Sequence, residues 1–175
     1  MSCNCKSNKN LEMRIKKIGK YAKLPEFKNG NWMDTYVREI GVLKKEDTPN
    51  EIRFDDPEIQ WSTSGISYEE GDTIFVKLGF ALELLPGKEL HLLPRSGTYR
   101  KYGLILTNSE GIGDDTFIGD NDEYQGMLYA TRKGSVKVGE RLLQMKIENA
   151  MPKYKLVEVE EFGNIDRGGY GSTGK

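Results

Sequence analysis

Thr73-Ile74-Phe75-Val76-Lys77-Leu78 and, after one glycine, Phe80-Ala81-Leu82-Glu83-Leu84-Leu85 are the stretches on which the fold turns. Short apolar runs rich in β-branched and aromatic residues suit a pleated, half-buried surface, and each run is too short for a core helix. Pro86-Gly87 then supplies a turn. Outward from this pair the same pattern recurs. Residues 11–18 alternate apolar and charged side chains, as a half-buried strand does. Residues 36–43, 89–93, 104–107, 127–131, 141–147 and 154–159 read as further strand-like runs, and glycines and acids over 111–122 read as a hairpin. Residues 94–102 read as a short helix with proline at its start. The chain has no internal repeat and no long amphipathic helix. Many short strands with regular turns predict an all-β barrel or jelly roll.

The chain has 175 residues, which predicts one domain able to bury a core without disulfides or metal. Its organisation reads as a polar tail over 1–10, a β domain over 11–165 and a glycine-rich C-terminal motif over 166–175. Within the domain, residues 44–71 are acidic and polar, with Trp61 and Ile66 as anchors, and read as an excursion from the core. Twenty-six Lys and Arg against twenty-seven Asp and Glu give a net charge of −1. That balance excludes a dedicated nucleic-acid binder, which needs a basic surface. No apolar run has membrane-spanning length and no charged-then-apolar leader is present, so the expectation is a cytoplasmic protein without membrane contact. Cys3 and Cys5 fall in the polar tail; two ligands make no metal site.

Four stretches carry chemistry. Pro94-Arg95-Ser96-Gly97 pairs a cation with a hydroxyl at the start of the short helix, where backbone N–H groups favour an anion. Gly111-Ile112-Gly113-Asp114-Asp115-Thr116-Phe117-Ile118-Gly119 sets a carboxylate near an aromatic; a solvated turn would use the same residues. Val138-Gly139-Glu140-Arg141-Leu142-Leu143-Gln144 puts an amide in an apolar strand, where it must find a partner. Arg167-Gly168-Gly169-Tyr170-Gly171-Ser172-Thr173-Gly174-Lys175 cannot pack a core. Its glycines let successive N–H groups turn toward one anion, its hydroxyls and guanidinium suit phosphate, and Tyr170 offers a flat face to a base. Residues 169–175 also fill seven places of the phosphate-loop pattern, but the closing Ser/Thr and the following helix are missing, so that reading is set aside.

The order of these stretches resembles the trimeric dUTP pyrophosphatase (dUTPase) family, whose five motifs all have counterparts between residue 15 and residue 175. Gly119-Asp120-Asn121-Asp122 is similar to a run in the phage and Gram-positive branch. The resemblance implies a jelly-roll homotrimer with a mobile tail that hydrolyses dUTP to dUMP and pyrophosphate with Mg²⁺, at sites shared between subunits. By the same resemblance, Asp114 is the general base for an attacking water. Asn108 and the backbone from Gly111 read the uracil. Phe117 stands where the family usually has a Tyr beneath the deoxyribose. Arg95, Ser96, Gly97 and Gln144 match phosphate-binding positions, with Arg167 near the final motif. Tyr170 matches the aromatic that covers the uracil, and Gly171, Ser172 and Thr173 match the terminal-phosphate loop. Asp34 matches the first-motif Asp that supports magnesium through water. Two departures stand out: Trp32-Met33-Asp34-Thr35 replaces a usual Gly-Tyr-Asp-Leu, and Gly113 replaces a usual Ile. Two alternatives stay open, a dCTP deaminase-like enzyme of the same fold and a phage regulatory protein that binds a repressor through residues 44–71.

Overall fold

The computed structural model describes residues 12–168; the expected tail over 1–10 and the motif residues Tyr170, Gly171, Ser172 and Thr173 lie outside the described residues. In chain order the elements are β1 (Arg14–Lys17), β2 (Glu26–Phe27), β3 (Met33–Asp34), β4 (Glu39–Leu43), β5 (Gln60–Ser62), β6 (Gly65–Tyr68), β7 (Thr73–Lys77), β8 (Phe80–Glu83), β9 (Lys88–Pro94), α1 (Ser96–Tyr102), β10 (Leu104–Leu106), β11 (Gly111–Gly113), β12 (Gln125–Ala130), β13 (Gly134–Lys137) and β14 (Leu143–Asn149). They form two five-stranded sheets, β10-β12-β7-β4-β5 and β11-β9-β14-β3-β2, and two smaller ladders, β1-β8 and β13-β6. Every strand pairing among the described residues is antiparallel. This is the all-β jelly roll that the sequence predicts.

The main core lies between the large sheets. Ile40 and Val42 of β4, Ile74 and Val76 of β7 and Leu128 of β12 meet Leu90 and Leu92 of β9 and Leu143 and Met145 of β14. Alternation follows from the pleat, which sends successive side chains to opposite faces. Tyr68 and Val136 close the β6–β13 end; the Tyr68 hydroxyl donates to the Tyr102 carbonyl at 2.8 Å, and burial pushes the phenol up to about 12. The helix α1 ends at Gly103, whose φ of 67° is the left-handed cap that glycine adopts without strain.

The outer face of β4-β7-β12 is also covered, and here the structure departs from expectation. Phe75 of β7 points away from the main core yet is fully buried. Phe54 meets its ring edge-on, with centroids 5.3 Å apart, and Trp61 lies 6.2 Å away. Leu43, Ile52, Ile59 and Met127 complete this second cluster. A Cβ on Gly41 would stand 2.5 Å from Ile59 Cγ2, so the cover is in close contact with the sheet. Residues 44–71, read as an excursion, are therefore in part sheet (β5 and β6) and in part a lid over β7. The signal was in Phe75 itself, an apolar residue on the alternate face of a strand.

Two other expectations change. The hairpin expected over 111–122 is not a self-paired ribbon: β11 pairs with β9, and residues 114–124 cross to the other sheet, where β12 begins. The strand expected over 154–159 is absent. Residues 151–159 have no strand or helix, and Met151, Tyr154, Leu156, Val157 and Val159 are exposed, as are Phe162 and Ile165 beyond them.

If residues 44–62 hung in solvent, Phe75 could be shortened at little expense. Packed as observed, Phe75→Ala should destabilise the chain by about 3–5 kcal/mol. Urea unfolding followed by circular dichroism checks this; a loss below roughly 1 kcal/mol would refute the buried cover.

Candidate active site

The ends of β11 and β9 build two polar sites. The first is a cavity of about 550 Å³ lined by Asn108, Gly111, Gly113, Asp114, Phe117 and Tyr124, among others. The turn after β11 shapes it. The Asp114 carbonyl accepts from the Phe117 N–H at 3.1 Å, and Asp114 Oδ1 accepts from the Thr116 N–H at 2.8 Å and the Thr116 hydroxyl at 2.5 Å. Such a side-chain turn is what Asp does best in a loop. The Thr116 hydroxyl and then the Thr116 N–H hold the Asp114 carboxyl below the usual carboxylate range against desolvation, with the Phe117 N–H adding to them. Asp114 is thus ionised at neutral pH, exposed, and has no recorded partner for Oδ2 among the described residues.

Its neighbours have other employment. Asp115 turns away, and its Oδ2 accepts from the Gly87 N–H at 2.6 Å, which ties the loop to the Pro86-Gly87 turn. Glu123 also lines the cavity but is committed: Arg38 donates to it from Nε at 2.8 Å and Nη2 at 2.7 Å, and the Gly79 N–H donates at 2.8 Å. Of these three acids, Asp114 is the one that both lines the cavity and keeps an oxygen without a partner among the described residues.

Aromatic packing sets the cavity wall. Tyr124 stacks on Phe80 with centroids 5.3 Å apart, and Phe117 meets Tyr124 edge-on at 5.3 Å. A Cβ on Gly113 would stand 2.7 Å from the Tyr124 ring and from its hydroxyl. That is the physical reason for glycine before Asp114: the Tyr124 ring occupies the space a larger residue would need. Burial pushes the Tyr124 phenol up to about 12, first and foremost, with the Asp114 and Asp122 charges adding to it.

The second site is cationic. The register puts Asp34 opposite Gln144 and Gln144 opposite Leu93, so three strands converge where β9 ends. Asp34 Oδ1 pairs with Arg95 Nε and Oδ2 with Arg141 Nη1, each at 2.6 Å. Gln144 Nε2 donates to the Pro94 carbonyl at 3.2 Å, which answers what a polar amide does in an apolar strand. These groups line a cavity of about 410 Å³. Asp34, expected to steer magnesium through water, has both oxygens engaged by arginines; its observed work is to hold Arg95. Arg141 was missed, although it sits three residues before Gln144 in the stretch that drew attention to Gln144. Ser96 is exposed at the start of α1, Gly97 is half-buried beside it, and Arg167 is exposed in the C-terminal segment and lines neither cavity.

The two sites lie at opposite ends of one strand. Gly113 pairs with Leu90, so Asp114 leaves the sheet beside Glu89, while Arg95 follows Pro94. Six positions of extended chain separate Glu89 from Arg95, roughly 20 Å. Within one chain, the candidate base and the arginine pair cannot serve one reacting atom.

No protein-family model matches the chain. Known proteins do resemble it. The SPbeta prophage-derived deoxyuridine 5'-triphosphate nucleotidohydrolase of Bacillus subtilis is 34% identical over 165 residues, covering 94% of this chain and 99% of that protein. The deoxyuridine 5'-triphosphate nucleotidohydrolase of Crocosphaera subtropica is 32% identical over 142 residues, 79% of this chain and 94% of its own. Among solved structures, the dUTPase of Staphylococcus bacteriophage 80alpha with dUpNHpp superposes with a TM-score of 0.61 at 21% identity, covering 94% of this chain and 99% of that one. The dUTPase of Streptococcus mutans gives 0.58 at 19%, covering 81% and 98%. These two establish the shared fold. The Bacillus relative, matched over almost the whole of both chains, settles the lineage: this chain belongs to the deoxyuridine 5'-triphosphate nucleotidohydrolase (dUTPase) family.

Proposed function

We propose that the chain hydrolyses dUTP to dUMP and pyrophosphate, and the observation that carries this reading is the free, ionised Oδ2 of Asp114 at the mouth of a nucleoside-sized cavity. Asp114 accepts a proton from water as the water oxygen bonds to the α-phosphorus. The bond from that phosphorus to the bridging oxygen breaks in line, and pyrophosphate leaves with the electron pair. Asn108 and the Gly111 backbone read the uracil edge, and Phe117 lies under the deoxyribose. Arg95, held by Asp34, stabilises charge on the phosphates together with Gln144, Ser96 and Gly97. Arg141 shares Asp34 and adds a second cation. Tyr170 closes over the uracil, and Gly171, Ser172 and Thr173, with Arg167, reach the terminal phosphates.

Mg²⁺ bound to the triphosphate supplies further neutralisation of the leaving group. The described residues contain no cluster of three or more His, Cys, Asp or Glu side chains able to hold a metal. A hard cation that keeps waters and phosphate oxygens as ligands suits such a site. The deaminase alternative is not favoured, because the curated relatives are named as nucleotidohydrolases. Nothing in the packing of residues 44–71 favours a repressor partner. Among the described residues no helix is long and apolar enough to cross a membrane.

The active form is proposed to be a homotrimer with shared sites. Roughly 20 Å of β9 separates Asp114 from Arg95 in one chain, whereas reacting groups must converge on one phosphorus. The exposed apolar series from Met151 to Ile165 also needs a surface to cover it, and a neighbouring subunit supplies one.

Asp114→Asn keeps the shape and loses the base. Turnover should fall by roughly 10²–10⁴ while dUTP binding survives, and near-normal pyrophosphate release would sink the assignment. Thr116→Val removes the largest stabiliser of the Asp114 anion, so its pKa should rise toward the ordinary carboxylate value. The acid limb of kcat/KM should then move to higher pH, with little change above pH 7. A profile from about pH 3 to 8 reads this directly.

Shared sites make a further demand. A chain ending at Ile165 and a full-length Asp114→Asn chain should each be nearly inactive, and co-refolding should restore activity. With random mixing in a closed trimer, about a quarter of sites pair an intact Asp114 turn with an intact tail. No recovery in proven mixed trimers would mean that the Asp114 turn and the tail act within one chain.

A further inference from the structure

The cavity has a wall that neither the motifs nor their implied roles account for. Phe54, from the segment between β4 and β5, lines it beside Asn108, Gly111 and Asp114. The segment is held where it leaves β4: Lys44 Nζ pairs with Asp72 Oδ2 at 2.8 Å, and the Lys45 N–H donates to Asp72 Oδ1 at 3.1 Å. It is held where it returns, because β5 pairs with β4. Between these points Ile52, Phe54 and Ile59 pack over Phe75, whose ring meets Phe54 edge-on at 81°. One part of the Phe54 ring is thus fixed by the second apolar cluster and the rest faces the cavity.

A second, independent feature lies on the same wall. Gln125, at the start of β12, has its Oε1 buried without a hydrogen-bond partner among the described residues. It shares the outer face of the sheet with Met127, two residues on, which stands opposite Phe75. A buried acceptor left unpaired is unfavourable, and in a binding cavity it is the feature a donor on the ligand would satisfy.

We propose that residues 44–59 build one wall of the nucleoside pocket, with Phe54 in contact with the nucleobase and the Gln125 amide pairing with a polar group on it. This rests on the dUTP-hydrolysing reading and adds a specificity element to it. A flat apolar ring beside a carbonyl acceptor suits a heterocycle that carries an N–H donor. Uracil has one at N3. Cytosine offers an acceptor at that position, so the same wall disfavours it unless the amide turns over. The segment that looked like a solvated excursion is then part of the site, and its cover over Phe75 is what makes Phe54 rigid enough to discriminate.

The experiment is isothermal titration of full-length protein with α,β-imido-dUTP, in parallel with dUTP hydrolysis and thermal unfolding. Four proteins are compared: wild type, Phe54→Leu, Phe54→Tyr and Gln125→Met. Phe54→Leu and Gln125→Met should each weaken binding about tenfold, with kcat within about threefold of wild type, the pattern of lost ground-state contact. Phe54→Tyr keeps the ring and should stay within about twofold of wild type. Gln125→Met removes an unpaired acceptor, so its unfolding temperature should match or exceed wild type. Weakened binding without lost stability separates a ligand contact from a packing effect. Unchanged affinity in both Phe54→Leu and Gln125→Met, while wild type still hydrolyses dUTP, overturns the wall and leaves the activity standing. A wild type that neither binds the analogue nor hydrolyses dUTP overturns the activity and the wall with it.

Discussion

The antiparallel ladder from Lys88–Asn149 to Pro94–Leu143 is the constraint on which the chemistry depends. It aligns β9 with β14 along its whole length, and β11 adds to the other edge of β9 at Leu90 to Leu92. One strand thereby fixes both ends of the functional surface. At its start, the turn after β11 presents Asp114; at its finish, Arg95 meets Gln144 and Asp34. A slip of one residue in this register would turn every side chain to the opposite face. Leu90 and Leu92 would leave the core, and Arg95 would lose Asp34. Core packing and site geometry are therefore specified by the same pairing, and neither can drift alone.

Electrostatic commitments then decide which groups remain available. Asp34 and Glu123 have both oxygens engaged by named donors, and Asp115 is tied through one oxygen to the Gly87 N–H, so their charges serve structure. His91, the one histidine in the chain, is held between Glu110 at 2.5 Å and Glu89 at 2.9 Å, and so is occupied as well. Burial alone would lower its pKa, but the hydrogen bonds from Glu110 and Glu89 outweigh that and raise it. Asp114 differs in lining the cavity with one oxygen fixed and the other without a partner among the described residues. Fixing Oδ1 through Thr116 gives the carboxylate an orientation and keeps it ionised.

Much of this was legible in the residues. The strands around Phe75 and Leu82, the turn at Pro86-Gly87, the short helix after Pro94 and the pairing of Asp114 with Phe117 follow from local periodicity, turn chemistry and motif spacing. What was missed has a common cause. Gln60-Trp61-Ser62 and Gly65-Ile66-Ser67-Tyr68 are too short and polar to announce themselves as strands, and they form because β4 and β13 offer them edges. Residues 154–159 have the composition of a strand, but no edge among the described residues pairs with them. Propensity states what a segment tolerates; partners determine what it does.

The site divides in the same way. Residue chemistry and order along the chain were enough to indicate the β class, the family resemblance and the candidate site residues Asp114, Arg95 and Gln144. The bridging of Arg95 and Arg141 by Asp34, the Tyr124 ring in the space left by Gly113, and the arrival of Phe54 at the cavity beside Asp114 join residues distant in sequence. No local pattern encodes such pairs. They exist because sheet register and core packing bring remote side chains within a few ångström, where charge and van der Waals contact become strong enough to matter.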